Sequence, residues 1–286
     1  MSGNVPTRAI VAALLASLMF ASMGVAVRIS SAQLPNELIV FLRNSFGLVF
    51  LLPWLLQKGL GTLATQRFPA HFFRSVSGLA AMYCFFYAIA HLQLAEAVLL
   101  NYSSPLFIAI IAILWFGEEA SWKLALAILT GFIGVCLVLK PGAGLFQGAA
   151  MVGLLSALFA AFAMVTIRDL SKTEPTHRIV FYFSLISTLI SAVPLLWVYQ
   201  FPGLQLLVLM AFAGLAATLG QLCLTYCYSL APASQVGPYT YSSVIFAAMY
   251  GWMFWEETPD VLTFTGAILV ITACTISIKR KKLARE

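Results

Sequence analysis

Apolar residues run along this chain in long blocks, and polar residues fall almost entirely between them. Ten blocks can be read: Ile10–Val27, Glu37–Leu56, Phe72–His91, Ala95–Phe116, Trp122–Leu139, Gly148–Ile167, Ile179–Val198, Leu204–Ser229, Ser234–Trp255 and Val261–Ile278. A helix needs roughly 20 apolar residues to cross a bilayer, and these blocks have that length. Loop chemistry separates them, as in Lys140-Pro141-Gly142, Phe201-Pro202-Gly203 and Thr258-Pro259-Asp260. Barrel strands would be about 10 residues long and would alternate apolar with polar. These blocks are apolar on all sides, so the pattern predicts an all-α integral membrane protein of ten transmembrane helices. The first block could pass for a signal peptide. Its apolar stretch is longer than a usual signal core, and Arg28 separates it from Ser30-Ser31-Ala32, so it is read as a retained helix.

Composition narrows the class. Of 286 residues 62% are apolar and 9% charged, whereas soluble domains carry about 25% charge. A water-exposed surface cannot be made from so few charges, which excludes an ordinary soluble enzyme and a disordered chain. The net charge of +6 does not point to nucleic acid, because the basic residues cluster at block ends. With the amino terminus inside, thirteen Lys and Arg fall on the inner loops, Arg74 among them, and only Arg28 and Lys140 on the outer ones. By the positive-inside rule both termini face the cytoplasm, which places the chain in the cell (inner) membrane as a multi-pass protein.

The two halves repeat. Tyr102-Ser103-Ser104, Glu118-Glu119 and Thr130-Gly131 return as Tyr241-Ser242-Ser243, Glu256-Glu257 and Thr265-Gly266, offset by 139, 138 and 135 residues. Gly78-Leu79-Ala80-Ala81 returns as Gly214-Leu215-Ala216-Ala217. Residues 1–140 and 141–286 are therefore expected to be two five-helix repeats. Five is odd, so the second repeat must insert with opposite orientation, as in carriers whose solute site lies where two inverted halves meet. On the run Tyr102-Ser103-Ser104-Pro105-Leu106-Phe107, through Glu118-Glu119 to Gly131-Phe132-Ile133-Gly134, and on Phe41-Leu42-Arg43-Asn44, the chain resembles the drug/metabolite transporter superfamily, with two EamA-type domains. The stretch from Arg74 to Pro141 also resembles the subgroup containing S-adenosylmethionine carriers. The resemblance implies a carrier of small organic solutes and does not specify which. One departure is that Pro105, which follows Tyr102-Ser103-Ser104 in the first half, has no proline counterpart after Ser243 in the second, so a kink due to that proline need not be symmetric.

Several polar residues fall inside the blocks. Arg43 costs roughly 2.5–3.5 kcal/mol to insert and calls for a cavity or a partner. Either it contacts an anionic part of a solute through its planar fork, or it binds helix-end carbonyls. Glu96 could be its counter-charge or couple a proton, or it could simply stabilise the first turn of a helix. Tyr83, Tyr87 and His91 share one stripe. Asn101 and Tyr102 lie on the fourth block, Gln221, Thr225, Tyr226 and Tyr228 on the eighth, and Gln235, Tyr239 and Tyr241 on the ninth. As a group they suit a cavity that stacks on rings and hydrogen-bonds polar edges; individually they also suit interhelical contacts. Of these, the substrate-binding candidates are Arg43, Tyr83, Tyr87, Asn101, Tyr102, Gln221, Tyr226, Tyr239 and Tyr241. Cys84, Cys136, Cys223, Cys227 and Cys274 read as small apolar residues, with no ligand set at zinc spacing.

No catalytic or nucleotide-binding motif is present, and no cofactor or metal is expected. The reading is a secondary transporter of a small organic metabolite, such as an amino acid or an S-adenosylmethionine-like solute. A gradient, a coupled proton or exchange of a second solute would drive it, in contact with lipid, as a monomer or a homodimer. The alternatives are a channel-like or scaffold protein and an intramembrane lipid-modifying enzyme. If the topology holds, an impermeant thiol reagent added outside should label Gly142→Cys and miss Lys172→Cys. The reverse pattern would overturn the ten-span arrangement.

Overall fold

The computed structural model describes residues 6–116, 122–139, 148–170, 172–198, 200–230 and 239–283, and it is all-helical there, with no strand among the described residues. The first half holds α1 (Thr7–Ser31), α2 (Asn36–Lys58), a 3-10 turn (Leu60–Leu63), α3 (Phe68–His91), α4 (Leu94–Asn101), α5 (Ser104–Phe116) and α6 (Trp122–Leu139). The second holds α7 (Gly148–Leu170), α8 (Thr176–Ala192), α9 (Leu195–Val198), α10 (Leu204–Leu230), α11 (Ser242–Trp255) and α12 (Val261–Leu283). Five of them, α1, α2, α3, α7 and α10, contain stretches long and apolar enough to cross a membrane.

Three of the helices expected to be continuous are broken. The block Ala95–Phe116 divides into α4 and α5 around Tyr102 and Ser103. Pro105 has no N–H, and its ring crowds the carbonyl of Asn101. The backbone tightens instead: Ser103 N–H donates to Leu100 O at 3.1 Å, and the Ser103 hydroxyl donates to the same carbonyl at 2.6 Å. The block Ile179–Val198 likewise divides into α8 and α9 at Pro194. In the second half α11 starts only at Ser242, after a turn at Tyr241, although no proline stands there. Here the Ser242 hydroxyl donates to Tyr239 O at 2.7 Å, and Ser17 of α1 donates to Thr240 O at 3.1 Å. A break thus occurs at Tyr-Ser-Ser in both halves, through serine hydroxyls competing for backbone carbonyls, with proline adding to it in only one.

Packing follows an exchange symmetry. The most extensive pairing, α1 on α10, has its counterpart in α7 on α3. The pairings α6 with α12, α2 with α8 and α4 with α11 each map onto themselves when the halves are exchanged. One apolar cluster joins the halves, including Val27, Leu38, Ile89, Leu99, Leu106, Met210 and Ala217. Large apolar side chains also cover the outside, with Leu56 81%, Leu196 82% and Val261 80% exposed. In water such a surface would aggregate; against lipid tails it is at home.

Close helix approach depends on missing side chains. A Cβ on Gly134 of α6 would lie 2.8 Å from Gly266 O of α12, and one on Gly214 of α10 would lie 2.6 Å from the Phe46 Cβ of α2. Overpacking of this kind costs about 1–3 kcal/mol. Gly134→Val should therefore lower the thermal unfolding midpoint in detergent, whereas the same change at Gly148, which has open space around it, should leave it nearly unchanged.

Candidate functional site

The two helix breaks face each other in the middle of the molecule. The Tyr102 and Tyr241 rings lie 6.0 Å apart at 56°, and Tyr102 is hydrogen-bonded to Ser243 across the boundary between the halves. Asn101, beside Tyr102, donates to the Ser156 hydroxyl of α7 at 3.0 Å, and that hydroxyl donates to Gly153 O at 2.5 Å. Of the sequence candidates, Asn101, Tyr102 and Tyr241 are thus drawn to one place. They stand at the breaks, beside backbone carbonyls that serine hydroxyls satisfy.

Arg43 is buried on α2. Its Nη1 donates to the Asn44 Oδ1 at 2.8 Å, and the Asn44 amide rests against Met82 Sδ at 3.6 Å. The expected pairing of Arg43 with Glu96 does not occur. Glu96 is buried at the start of α4 and accepts a 3.0 Å bond from Thr263 of α12. The two residues approach different helices, which sequence spacing could not reveal. A second cation, Arg74, is also buried, within α3 and over the Phe183 ring, 3.7 Å from its centroid. Counting Arg74 among the inner-loop charges is therefore corrected: it points into the protein.

The remaining candidates lie elsewhere. The Tyr83 hydroxyl is buried, and the Tyr83 carbonyl accepts from Asn36 at 3.0 Å. Tyr87 is exposed and stacks on His91 with centroids 4.1 Å apart. Tyr226 and Tyr239 are exposed, and Gln221 is half-buried on α10. Gln235 lies outside the described residues, as do the side chains of Thr225, Tyr228 and Cys274.

Charged residues that the sequence reading left unassigned form a lock at each end of the molecule. At the end where α1 finishes, Glu257 pairs with Arg28 and accepts from the Leu94 N–H, the start of α4, at 3.0 Å. Arg28 lies over the Trp255 ring at 4.5 Å. Glu256 adopts a left-handed conformation, φ 55°, which turns the chain back so that Glu257 lies over Gly251. A carboxylate at a helix N-terminus is favoured by the macrodipole, so one group ties α1, α4 and the end of α11 together. The repeated Glu-Glu motif was the signal for it.

At the opposite end Glu174 plays the same part. It accepts from Thr65 at 2.6 Å and from Arg178 at 2.5 Å, with His71 Nε2 at 4.0 Å. Arg178 also donates to Thr62 O at 2.8 Å, and Tyr182 to Leu63 O at 2.9 Å. Arg67 pairs with Asp169, whose other oxygen takes Lys172 at 3.2 Å. These bonds fasten the α2–α3 connection to the α7–α8 connection, hence one half to the other. Burial alone would raise the Glu174 carboxyl, but bonds from Thr65 and Arg178 and the nearby positive charge outweigh it and hold it below the usual carboxylate range. Asp169 is held low by its bonds from Arg67 and Lys172. Among the described residues no group of three His, Cys, Asp or Glu is placed to hold a metal.

The model of the EamA-like transporter family matches residues 7–140 and again 147–279. Among curated relatives, the pseudopaline exporter CntI of Pseudomonas aeruginosa is 38% identical over 94% of this chain and 95% of its own. The riboflavin transporter of Vibrio cholerae is 28% identical over 96% and 94%, and the S-adenosylmethionine uptake transporter of Rickettsia bellii 26% over 86% and 84%. A solved crystal structure, 18% identical, covers 98% of both chains with a TM-score of 0.67, which shows the shared fold. The chain belongs to the EamA-like transporter family. It is a multi-pass membrane protein and a secondary transporter of a small organic metabolite.

Two tests follow from the locks. A carboxyl with a lowered folded-state pKa stabilises its contact above the ordinary range and loses that contribution as pH falls through the lowered value. The Glu174 end should therefore loosen as pH falls from about 5 toward 3. In a background without the native cysteines, labelling of Leu63→Cys, taken relative to a free thiol at the same pH, should rise over that window, and Glu174→Gln should reduce the rise to the part due to Asp169. At the other end Glu257→Gln, which keeps an acceptor for Leu94 but drops the charge facing Arg28, should label Leu92→Cys several-fold faster than its parent.

Proposed function

We propose that the chain exports its metabolite across the cytoplasmic membrane by alternating access between two inverted five-helix repeats, residues 1–140 and 141–286. The observation that carries this reading is the facing pair of helix breaks, Tyr102 with Tyr241 and Ser243, midway between two polar locks. A site at mid-depth with a releasable closure at each end is what rocking of two halves requires. In this reading ten spans cross the inner membrane with both termini cytoplasmic, so the Arg28–Glu257 lock closes the outer end and the Glu174 network the inner end. Export is favoured over uptake by the likeness to the pseudopaline exporter, which spans nearly the whole chain. No step calls for covalent chemistry, so transport without enzymatic turnover is the function proposed, driven by a coupled proton or an exchanged solute.

Asn101, Tyr102 and Tyr241 line the solute site, with Arg43 on the adjoining wall. Tyr83, Tyr87, Gln221, Tyr226 and Tyr239 lie along the approaches on α3, α10 and the stretch before α11. Glu96 holds α4 to α12 and acts as a structural group. The working form is either a monomer or a homodimer.

The test is transport by the purified full chain in proteoliposomes, using pseudopaline, riboflavin and S-adenosylmethionine as a panel, together with metabolite profiling of a deletion strain. Tyr102→Ala and Tyr241→Ala should each cut the rate at least tenfold while the variants still insert and fold. Arg67→Glu and Asp169→Arg should each lower transport, and the double variant should recover part of it. Full activity in both tyrosine variants would remove the helix breaks from the pathway.

A further inference from the structure

Two cations lie buried in the first half with no counter-ion beside them among the described residues. Arg43 and Arg74 keep only 6% and 5% of their surface. None of the ion pairs formed among the described residues includes either one. Arg43 spends one N–H on Asn44 and leaves Nε without a partner; Arg74 leaves both Nε and Nη1 without one. The charge whose field acts on Arg74 is that of Arg43 itself. Like charges at that depth repel, and a buried charged donor left without an acceptor carries an uncompensated desolvation cost.

The course of the Arg74 side chain shows that this is built rather than incidental. Arg74 stands fewer than two turns from the start of α3, where Arg67 and His71 lie close to Asp169 and Glu174. Helical side chains lean toward the N-terminus, and arginines snorkel toward polar ends. Arg74 does neither. Its Nη1 reaches to 3.0 Å from the point where a Cβ on Gly78 would sit, a full turn deeper, and Phe183 closes under the guanidinium. Gly78 leaves the space for it. The contact of Asn44 with Met82 sets the register of α2 on α3, and Arg74 runs toward that level.

Two planar forks on separate helices, at different depths, suit two anionic groups on one extended molecule better than one compact ion. Building on the carrier reading above, we propose that Arg43 and Arg74 form a two-point cradle for a solute bearing at least two carboxylates. Each guanidinium takes one carboxylate, and the solute supplies the counter-charge. Phe183 forms the floor beneath Arg74. The same field disfavours a cationic solute such as the sulfonium of S-adenosylmethionine.

The probe is tricarballylate, with acetate, inorganic phosphate and S-adenosylmethionine as comparisons. Thermal unfolding of the purified full chain is followed in detergent at constant ionic strength. Tricarballylate should raise the unfolding midpoint in a saturable way, at concentrations at least tenfold below any at which acetate or phosphate acts, and S-adenosylmethionine should not raise it. Arg43→Gln and Arg74→Gln should each weaken the apparent affinity at least tenfold, and Arg74→Lys should fall between. The unliganded Arg74→Gln protein should melt no lower than its parent, because a repulsion has been removed. Gly78→Ala keeps both charges but fills the space under Arg74, and it should weaken the response as well. The cradle is overturned if parent and arginine variants respond alike, if acetate or phosphate acts as well as tricarballylate, or if Arg74→Gln melts several degrees lower. These readouts need no transport. A missing anion response alongside wild-type transport of a neutral solute would remove the cradle and leave the carrier reading standing. An intact response with no transport of any solute would do the reverse.

Discussion

Inside a bilayer a backbone N–H or carbonyl has no water to bond, and the rest of this structure depends on that constraint. It forces the chain into helices, and it makes every interruption of a helix a place where polarity must be answered by another group. The interruptions at Tyr102–Ser103 and Tyr241–Ser242 are answered by hydroxyls: Ser103 on Leu100 O, Ser242 on Tyr239 O, and Ser17 of α1 on Thr240 O. These bonds let two breaks face one another in the centre at little cost, which leaves a polar patch where the helices would otherwise offer only apolar side chains.

The ends of the molecule obey a different rule. Asp169 there is about half exposed to water, so its pairs are individually weak, whereas the Glu174 and Glu257 side chains are largely buried. Glu257 and Glu174 each gather several partners from different helices. Each end is thus held by several interactions together. Tight packing takes over between the ends, with Gly134 on Gly266 and Gly214 on Phe46 bringing backbones together. Small residues at these contacts let helices of opposite halves approach closely.

The relatives share this frame and carry unlike solutes, as their names state. A common fold with divergent cargo places specificity in a few side chains. Among the described residues the side chains that stand out electrostatically are the two arginines, since a buried charge without a counter-ion is costly in a membrane interior.

Much of the architecture was legible in the sequence because it rests on bulk properties. Block length and the lack of charge demanded apolar helices in a membrane, and the spacing of Tyr-Ser-Ser, Glu-Glu and Thr-Gly revealed the duplication. Arg43 stood out because a lone charge in an apolar block is conspicuous. Arg74 did not, because it sits near a block end, where an arginine ordinarily turns to water; only the space above Gly78 and the ring of Phe183 decide that it turns inward. The pairing of Glu257 with Arg28, and of Glu96 with Thr263 in place of Arg43, was equally hidden. Those partners are more than 160 residues apart, and helix packing alone brings them within reach. The chain by itself determined its solvent, its helices and its repeat, since each follows from local composition. The tertiary structure decided which charges meet and which are left facing each other, since that depends on distance and direction in three dimensions.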